Sequence, residues 1–281
     1  MLDPEDFKRA IQAIEVLGTT PAVLLKVAKL ATDPNADLAT VCTFLRNDGP
    51  LVADIIRISN SPYFAPATSH SNLSSAINQI GLREVVRVVK LSLARQLFAR
   101  DLTSYGIPAY DYWSASIASA LMMEALAKQT GLNPEDAFTI GILHAIGLVL
   151  IDRVIEEKGF SIFWDGHEPI QDWEHRAVGF DYAEAGAMLL EHWLFPPSTC
   201  DVIRWQLDSE KVVEQVSMLG ALQFTLRLLA LTGLDYANEG WRLPEENSFV
   251  RAAGLTQESA SQFVTQCRND FQGIRKSVDL S

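Results

Sequence analysis

Five histidines, His70, His144, His167, His175 and His192, are the residues of this chain best suited to hold a metal ion or to move a proton near neutral pH. A catalytic metal needs several donors converging on one point. No two of these histidines stand in an HxxxH spacing, which would set both imidazoles on one helix face. His167 and His175 flank the polar segment EPIQDWE and read as part of a solvated loop and helix face. His144 differs, because it sits in GILHAIGLVLID (Gly141–Asp152), which is otherwise apolar up to its last residue. Other chemistries lack their signatures. There is no GxSxG for a nucleophilic serine, no phosphate-cradling P-loop and no GxGxxG. Arg83, Arg87 and Lys90 recur at helical spacing, a local basic stripe that could meet a phosphate, a nucleotide or an acidic partner. Nothing in the residues alone demands an enzyme.

The elements that must position these residues read as helices throughout. Thr20 and Pro21 open TTPAVLLKVAKLATD as N-cap and first helical residue. ADLATVCTFLRNDG stops at Asn47-Asp48-Gly49, and Pro50 starts the next helix. The segment SNSPYFAPATSHSN, with two prolines, is a loop, and Gly81 ends a short helix before a longer one. In that loop Asn60, Ser61, Pro62, Tyr63 and Phe64 are expected at the junction of two helical parts, because two large rings in a constrained loop seek burial. Thr103–Asp111 is the best linker candidate.

Beyond the linker, YWSASIASALMMEALAKQTG carries small residues that allow close helix approach. NPEDAFTIGILHAIGLVLIDRVIEEK has Asn133 as N-cap and reads as one core helix carrying His144. Asp181 and Glu184 have capping-box spacing. Further helices follow: one in STCDVIRWQLD, one around Val212–Leu231 and one from Thr256. The last has an apolar stripe of Phe263, Cys267, Phe271 and Ile274 that is expected to pack on the chain's own core. No alternating strand pattern stands out, so the expected class is all-α.

With 281 residues, 48% of them hydrophobic and 21% charged, the chain can build a substantial core without staples. Cys42, Cys200 and Cys267 are scattered and odd in number, which argues for a reduced, cytoplasmic setting. A net charge of −12 disfavours general nucleic-acid binding and docking on anionic membranes. The charged N-terminus is no targeting peptide, and the apolar windows Ile140–Ile151 and Val216–Leu234 are not expected to span a bilayer.

The order of the segments TTPAVLLKVAKLATD, NSPYF, SSAINQIGLREVVRVVKL, YWSASIASALMMEAL, GILHAIGLVLID and GFDYAEAGAMLLEHWLFP resembles the HDOD family, the HD-related output domains of bacterial signalling proteins. The resemblance covers about residues 15–208. It implies two packed helical subdomains, the second an HD-like bundle: residues 1–105, then 106–210, with 211–281 as a helical extension on the HD-like part. HD phosphohydrolases hold metal ions that activate water. Carried onto this chain, their ligand positions fall on Ala115, His144, Ala145, Tyr182, Gln206 and Leu207, with Leu148 where a basic residue is common. Only His144 retains a ligand of the family type. The resemblance with this loss implies no metal, no cofactor and no catalysis, and a core role for His144 with Tyr182 or Gln206 as its hydrogen-bond partner. The expected function is that of a bacterial signalling protein acting through an unidentified partner protein. The alternatives are a metal-dependent phosphohydrolase and a regulator that binds a nucleotide or cyclic dinucleotide.

Overall fold

The structure, a computed structural model, describes residues 49–60, 69–208, 211 and 216–232, with isolated residues 11, 42, 45, 46, 249, 252–254, 262, 265 and 269. Thr20 and Pro21, the loop residues Ser61–Phe64, and Phe263, Cys267, Phe271 and Ile274 lie outside the described residues. Among the described residues the regular structure is helical, with a single isolated bridge between Leu102 and Ile107. The chain divides into two compact units: Leu17–Gln96 with Asp270–Ser281, and Leu97–Asn269 with Met1–Val16.

The first of these units contains α1 (Gly49–Ser59) and α2 (Leu73–Leu97) up to its last residue. The expected break at Gly81 is present as a kink inside α2, where Gly81 takes φ 80 and ψ 158. A side chain there would be strained by the backbone alone. Asp54 of α1 is buried and accepts hydrogen bonds from Ser92 and from Arg57 (3.0 Å), so its charge is compensated. Asn60 clasps the backbone of His70 twice: its Oδ1 accepts from the His70 N–H (2.6 Å) and its Nδ2 donates to the His70 carbonyl (2.8 Å).

The larger unit holds the 3-10 turn Thr103–Tyr105 and the helices α3 (Ala109–Thr130), α4 (Pro134–Leu143), α5 (Ile146–Glu157), α6 (Ile170–Ala177), α7 (Tyr182–His192), α8 (Pro197–Arg204) and α9 (Met218–Thr232). α3 packs on α4 and α9, and α7 packs on α5 and α8. Asn133 caps α4 by accepting from the N–H groups of Glu135 (2.9 Å) and Asp136. Pro134–Glu157 is long and apolar enough to cross a bilayer, yet most of it is buried inside this unit, as a core segment is. The expected single helix over this stretch is two, because the chain leaves helical geometry at Ala145 (φ −105, ψ 16).

Two glycines explain how tightly these helices cross. A Cβ on Gly141 would lie 2.6 Å from Ala120 Cα, so α3 and α4 touch backbone to backbone. A Cβ on Gly147 would lie 1.9 Å from the carbonyl oxygen of Tyr182 and 2.6 Å from the nitrogen of Gly186, so α5 and α7 do the same. The small residues of α3 have the same use, since Ala115, Ser116, Ala118, Ser119 and Ala120 are all buried.

Thr103–Asp111, expected as a linker, is instead built into the larger unit. Leu102, Ser104, Tyr105 and Ile107 are buried, and the division between units falls at Leu97. Asp152 of α5 accepts from the Ser104 N–H (2.8 Å) and from Arg100 (3.0 Å). A linker reading rests on glycine, proline and polar residues, and it misses a buried acid elsewhere in the chain that pins them.

Because rigid backbone faces Gly147 and a movable side chain faces Gly186 (Ile203 Cγ2 at 3.2 Å), the two glycines should differ in tolerance. Gly147→Ala is expected to destabilise the protein by about 3 kcal/mol or prevent folding, and Gly186→Ala by about 1 kcal/mol. Urea denaturation of both variants checks the order; equal losses would refute the reading.

Candidate functional site

The six positions carried over from the HD hydrolases lie on α3, α7, the α4–α5 break and the turn after α8. Ala115, His144, Ala145, Tyr182 and Gln206 are buried, and Leu207 is half-buried. His144 is 1% exposed. Its Nδ1 lies 2.8 Å from the carbonyl oxygen of Gly141, one turn earlier. A carbonyl only accepts, so the proton sits on Nδ1. The expected partner, Tyr182 or Gln206, is therefore replaced by the helix's own backbone. The helix break supplies the reason, because Gly141 O is among the last carbonyls of α4, which lose their intrahelical donors there.

Gln206 instead serves the backbone of the break. Its Nε2 donates to His144 O (2.7 Å) and to Ile203 O (2.9 Å). Tyr112 of α3 donates its hydroxyl to Ala145 O (2.8 Å). The Tyr112 ring is held edge-on against Phe98 with centroids 4.5 Å apart. Burial lowers the His144 pKa to about 4, against a smaller upward effect of the Gly141 bond. The ring is thus neutral at neutral pH.

A divalent ion of the HD type does not fit these residues. Ala115, Ala145 and Leu207 have no donor atom. The His144 Nδ1–H donates to the Gly141 carbonyl, which leaves Nε2 as its one possible ligand atom, and the amide nitrogen of Gln206 serves two carbonyls. The other oxygen atoms at these positions are the buried Gln206 Oε1 and Tyr182 hydroxyl. Catalytic sites of this kind take their protein ligands from histidine, cysteine and carboxylates, and of these only His144 is present.

Below this position lies a buried carboxyl that the sequence reading passed over. Glu174 of α6 is wholly buried. It accepts from the Tyr105 hydroxyl (2.7 Å) and from the Tyr182 N–H (2.9 Å) at the first turn of α7. Burial pushes its pKa well above the usual carboxyl range, and the two hydrogen bonds only partly oppose this. Burial and the neighbouring Glu174 likewise raise Tyr105. Glu174 stands in QDWEHRA, where four charged or polar neighbours mask it, and no periodic signal marks it as interior.

The expected basic stripe does not form one exposed surface. Arg83 is exposed, Arg87 is mostly buried and lies 4.0 Å from Glu84, and Lys90 is 4% exposed. Helical spacing put the three on one face of α2, and that face turns inward toward Lys90. Cys42 and Cys200 are buried thiols, and Cys267 lies outside the described residues.

Comparisons with known proteins show the family and the fold. The family model for the HDOD domain matches residues 17–209. A solved HDOD domain protein of unknown function from Geobacter sulfurreducens superposes with a TM-score of 0.70 at 21% identity, covering 99% of each chain. A candidate phosphohydrolase from Shewanella amazonensis SB2B gives 0.66 at 21% identity, over 97% of this chain and 98% of that one. A candidate signal transduction protein from Marinobacter aquaeolei VT8 gives 0.66 at 19% identity, over 97% of this chain and 65% of that one. At these identities the likeness is one of fold. An uncharacterized protein of Treponema pallidum (strain Nichols) is 23% identical over 225 residues, 77% of this chain. The chain spans 43% of the length of that relative.

The lowered pKa of His144 has a consequence for stability. In the unfolded chain the ring takes up its proton near the ordinary pH of 6.5; in the folded chain it does so near 4. The folded state therefore binds fewer protons in between, and stability is lost as pH falls from 6.5 toward 4. Across that window the loss from this residue is about 3 kcal/mol. His144→Gln keeps an N–H for Gly141 and removes the titration. Its stability should fall by less than the wild type's between pH 7 and pH 4.5 in urea denaturation. Glu174 acts in the opposite sense, since its raised pKa favours the folded state at low pH, and it cancels in the comparison. Parallel pH profiles for the two proteins would show that His144 does not titrate as argued.

Proposed function

Because this chain belongs to the HDOD domain family, we propose that it is a non-catalytic signalling module that works by binding a partner protein. The observation that carries this reading is the fate of the hydrolase positions. Two are alanine, and one each is leucine, tyrosine and glutamine, so one histidine is all that remains of the family's ligand types; His144 and Gln206 donate to backbone carbonyls at a helix break. Water activation needs an ion held with an open position, and these residues are a packed core with no ligand set for it. Binding of a partner needs only surface, and the structural likeness to the Marinobacter signal transduction protein supports the same direction.

A surface feature of the larger unit favours a contact role. Leu194 is 83% exposed and takes a left-handed backbone, φ 60, at the end of α7. The hydrogen bonds Leu194 N to Glu191 O and Phe195 N to Leu190 O (3.0 Å each) are those of a helix stop that glycine usually occupies. A branched side chain there costs about 1–2 kcal/mol that its own packing does not return. Strain kept at an exposed apolar residue fits a surface selected for contact with another protein. The partner would be a cytoplasmic protein with a complementary apolar patch.

Two measurements test the reading. The purified chain, loaded in turn with Mn²⁺, Fe²⁺ or Zn²⁺, is expected to show no turnover of bis-p-nitrophenyl phosphate or cyclic dinucleotides above the buffer rate. Metal-dependent hydrolysis abolished by His144→Gln would overturn it in favour of a phosphohydrolase. Leu194→Gly should change stability by no more than about 0.5 kcal/mol, because relief of left-handed strain offsets the added freedom of the unfolded chain. It should also weaken cross-linking in cells to the native partner. A saturable thermal shift with a nucleotide or cyclic dinucleotide, without a protein partner, would favour the small-ligand alternative.

A further inference from the structure

Outside the hydrolase positions, three metal-ligating side chains meet on the surface where α6 ends and α7 begins. His175, Asp181 and Glu184 present donor atoms that all lie within 4.8 Å of one another. His175 is exposed, and Asp181 and Glu184 are half-buried. We propose that these three side chains form a binding site for a zinc-class divalent ion, independent of the hydrolase positions.

The capping box of α7 prepares the two carboxylates. Asp181 Oδ1 accepts from the Glu184 N–H (2.9 Å), and Glu184 Oε2 accepts from the Asp181 N–H (3.1 Å). Each group is thereby fixed by one oxygen, and its other oxygen is left outside the box. Asp181 Oδ2 faces His175 Nε2 at 3.8 Å. That distance is too long for a hydrogen bond. It suits two ligands of one ion, since donors about 2.0–2.2 Å from a tetrahedral centre stand about 3.4 Å apart.

The charges point the same way. Among the described residues neither Asp181 nor Glu184 has an arginine or lysine partner, and Arg176 is taken by Glu168. Burial and the Glu184 charge raise the Asp181 pKa, with His175 and two backbone N–H groups opposing. A helix N-terminus carries about half a positive charge and repels a cation. Two carboxylates outweigh it several-fold, and an ion would relieve their mutual repulsion. One imidazole with two carboxylates selects zinc or manganese over magnesium and calcium, which prefer oxygen alone. The fourth position would be filled by water. The ion would brace the turn between α6 and α7, next to the Tyr182 N–H that Glu174 accepts.

The test uses the full chain, freed of metal by a chelator that is then removed. Titration calorimetry with ZnCl₂ should show one site per chain with micromolar affinity. Saturating zinc should raise the unfolding midpoint by about 5 °C, while magnesium leaves it unchanged. Three variants keep the local structure. Asp181→Asn can still cap the helix, Glu184→Gln can still complete the capping box, and His175→Ala removes an exposed ring. Each is expected to weaken zinc binding at least 10-fold, with an unfolding midpoint near the wild type's in the absence of metal. No binding by the wild type up to 100 μM zinc, or unchanged binding in His175→Ala, would overturn the site.

Discussion

The larger unit depends on how a helix break in a dry place is satisfied. Where α4 gives way to α5, His144 O turns to a side-chain donor, and Ala145 O accepts both the Leu148 N–H of α5 (3.0 Å) and a side-chain hydroxyl. An unpaired carbonyl there costs about 1–3 kcal/mol. Gln206 reaches His144 O from the turn after α8, and Tyr112 reaches Ala145 O from α3. Two distant parts of the chain are thus fixed at the break. His144 adds a third bond by returning its Nδ1 proton to Gly141. The break also sets the two glycines, Gly141 and Gly147, one on each side, where α3 and α7 come to backbone contact. Without the break, one straight helix could not meet both partners at those points.

A second buried acid joins the remaining pieces by the same logic. Glu174 receives the hydroxyl of Tyr105 and the first-turn N–H of α7. Among the described residues no cation pairs with it; its two donors and the positive end of the helix support the carboxylate, and burial still raises its pKa. Asp152 does the corresponding work one helix away, holding Ser104 N and Arg100. Together they turn the Leu97–Ile107 segment from a tether into part of the unit. Polar residues with dedicated partners give this core its specificity, while its apolar bulk supplies most of the drive to fold.

Much of the fold was legible in the sequence because helix ends are written in local chemistry. Asn133, Asp181 with Glu184, Pro50 and Gly81 each act within three or four residues, and each was read correctly. The break at His144 was not legible, since its cause lies in Gln206 and Tyr112, 62 and 33 residues away. Glu174 and Lys90 were hidden for a related reason: a charge on a helix reads as solvated unless its tertiary surroundings are known. The resemblance pointed to His144 as a core residue, which its burial bears out. The replacement of the His144 side-chain partner by Gly141 O could not be read from it, because it follows from the break itself.

An ion-binding cavity and a packed helix break make different demands on the same positions. An ion-binding cavity keeps several polar donors uncommitted, each costly in a dry core until the ion arrives. Alanine at 115 and 145 removes such donors outright. The polar groups among these positions are His144, Tyr182 and Gln206. The His144 Nδ1 proton and the Gln206 amide protons go to backbone carbonyls at the break, which orients both side chains in the core. An Nδ1–H held by a carbonyl leaves Nε2 able to ligate, so the ligand set is short because of alanine at 115 and 145 and not because of this hydrogen bond. With Tyr112 bound to Ala145 O, the break ties α3 and the turn after α8 to the same point.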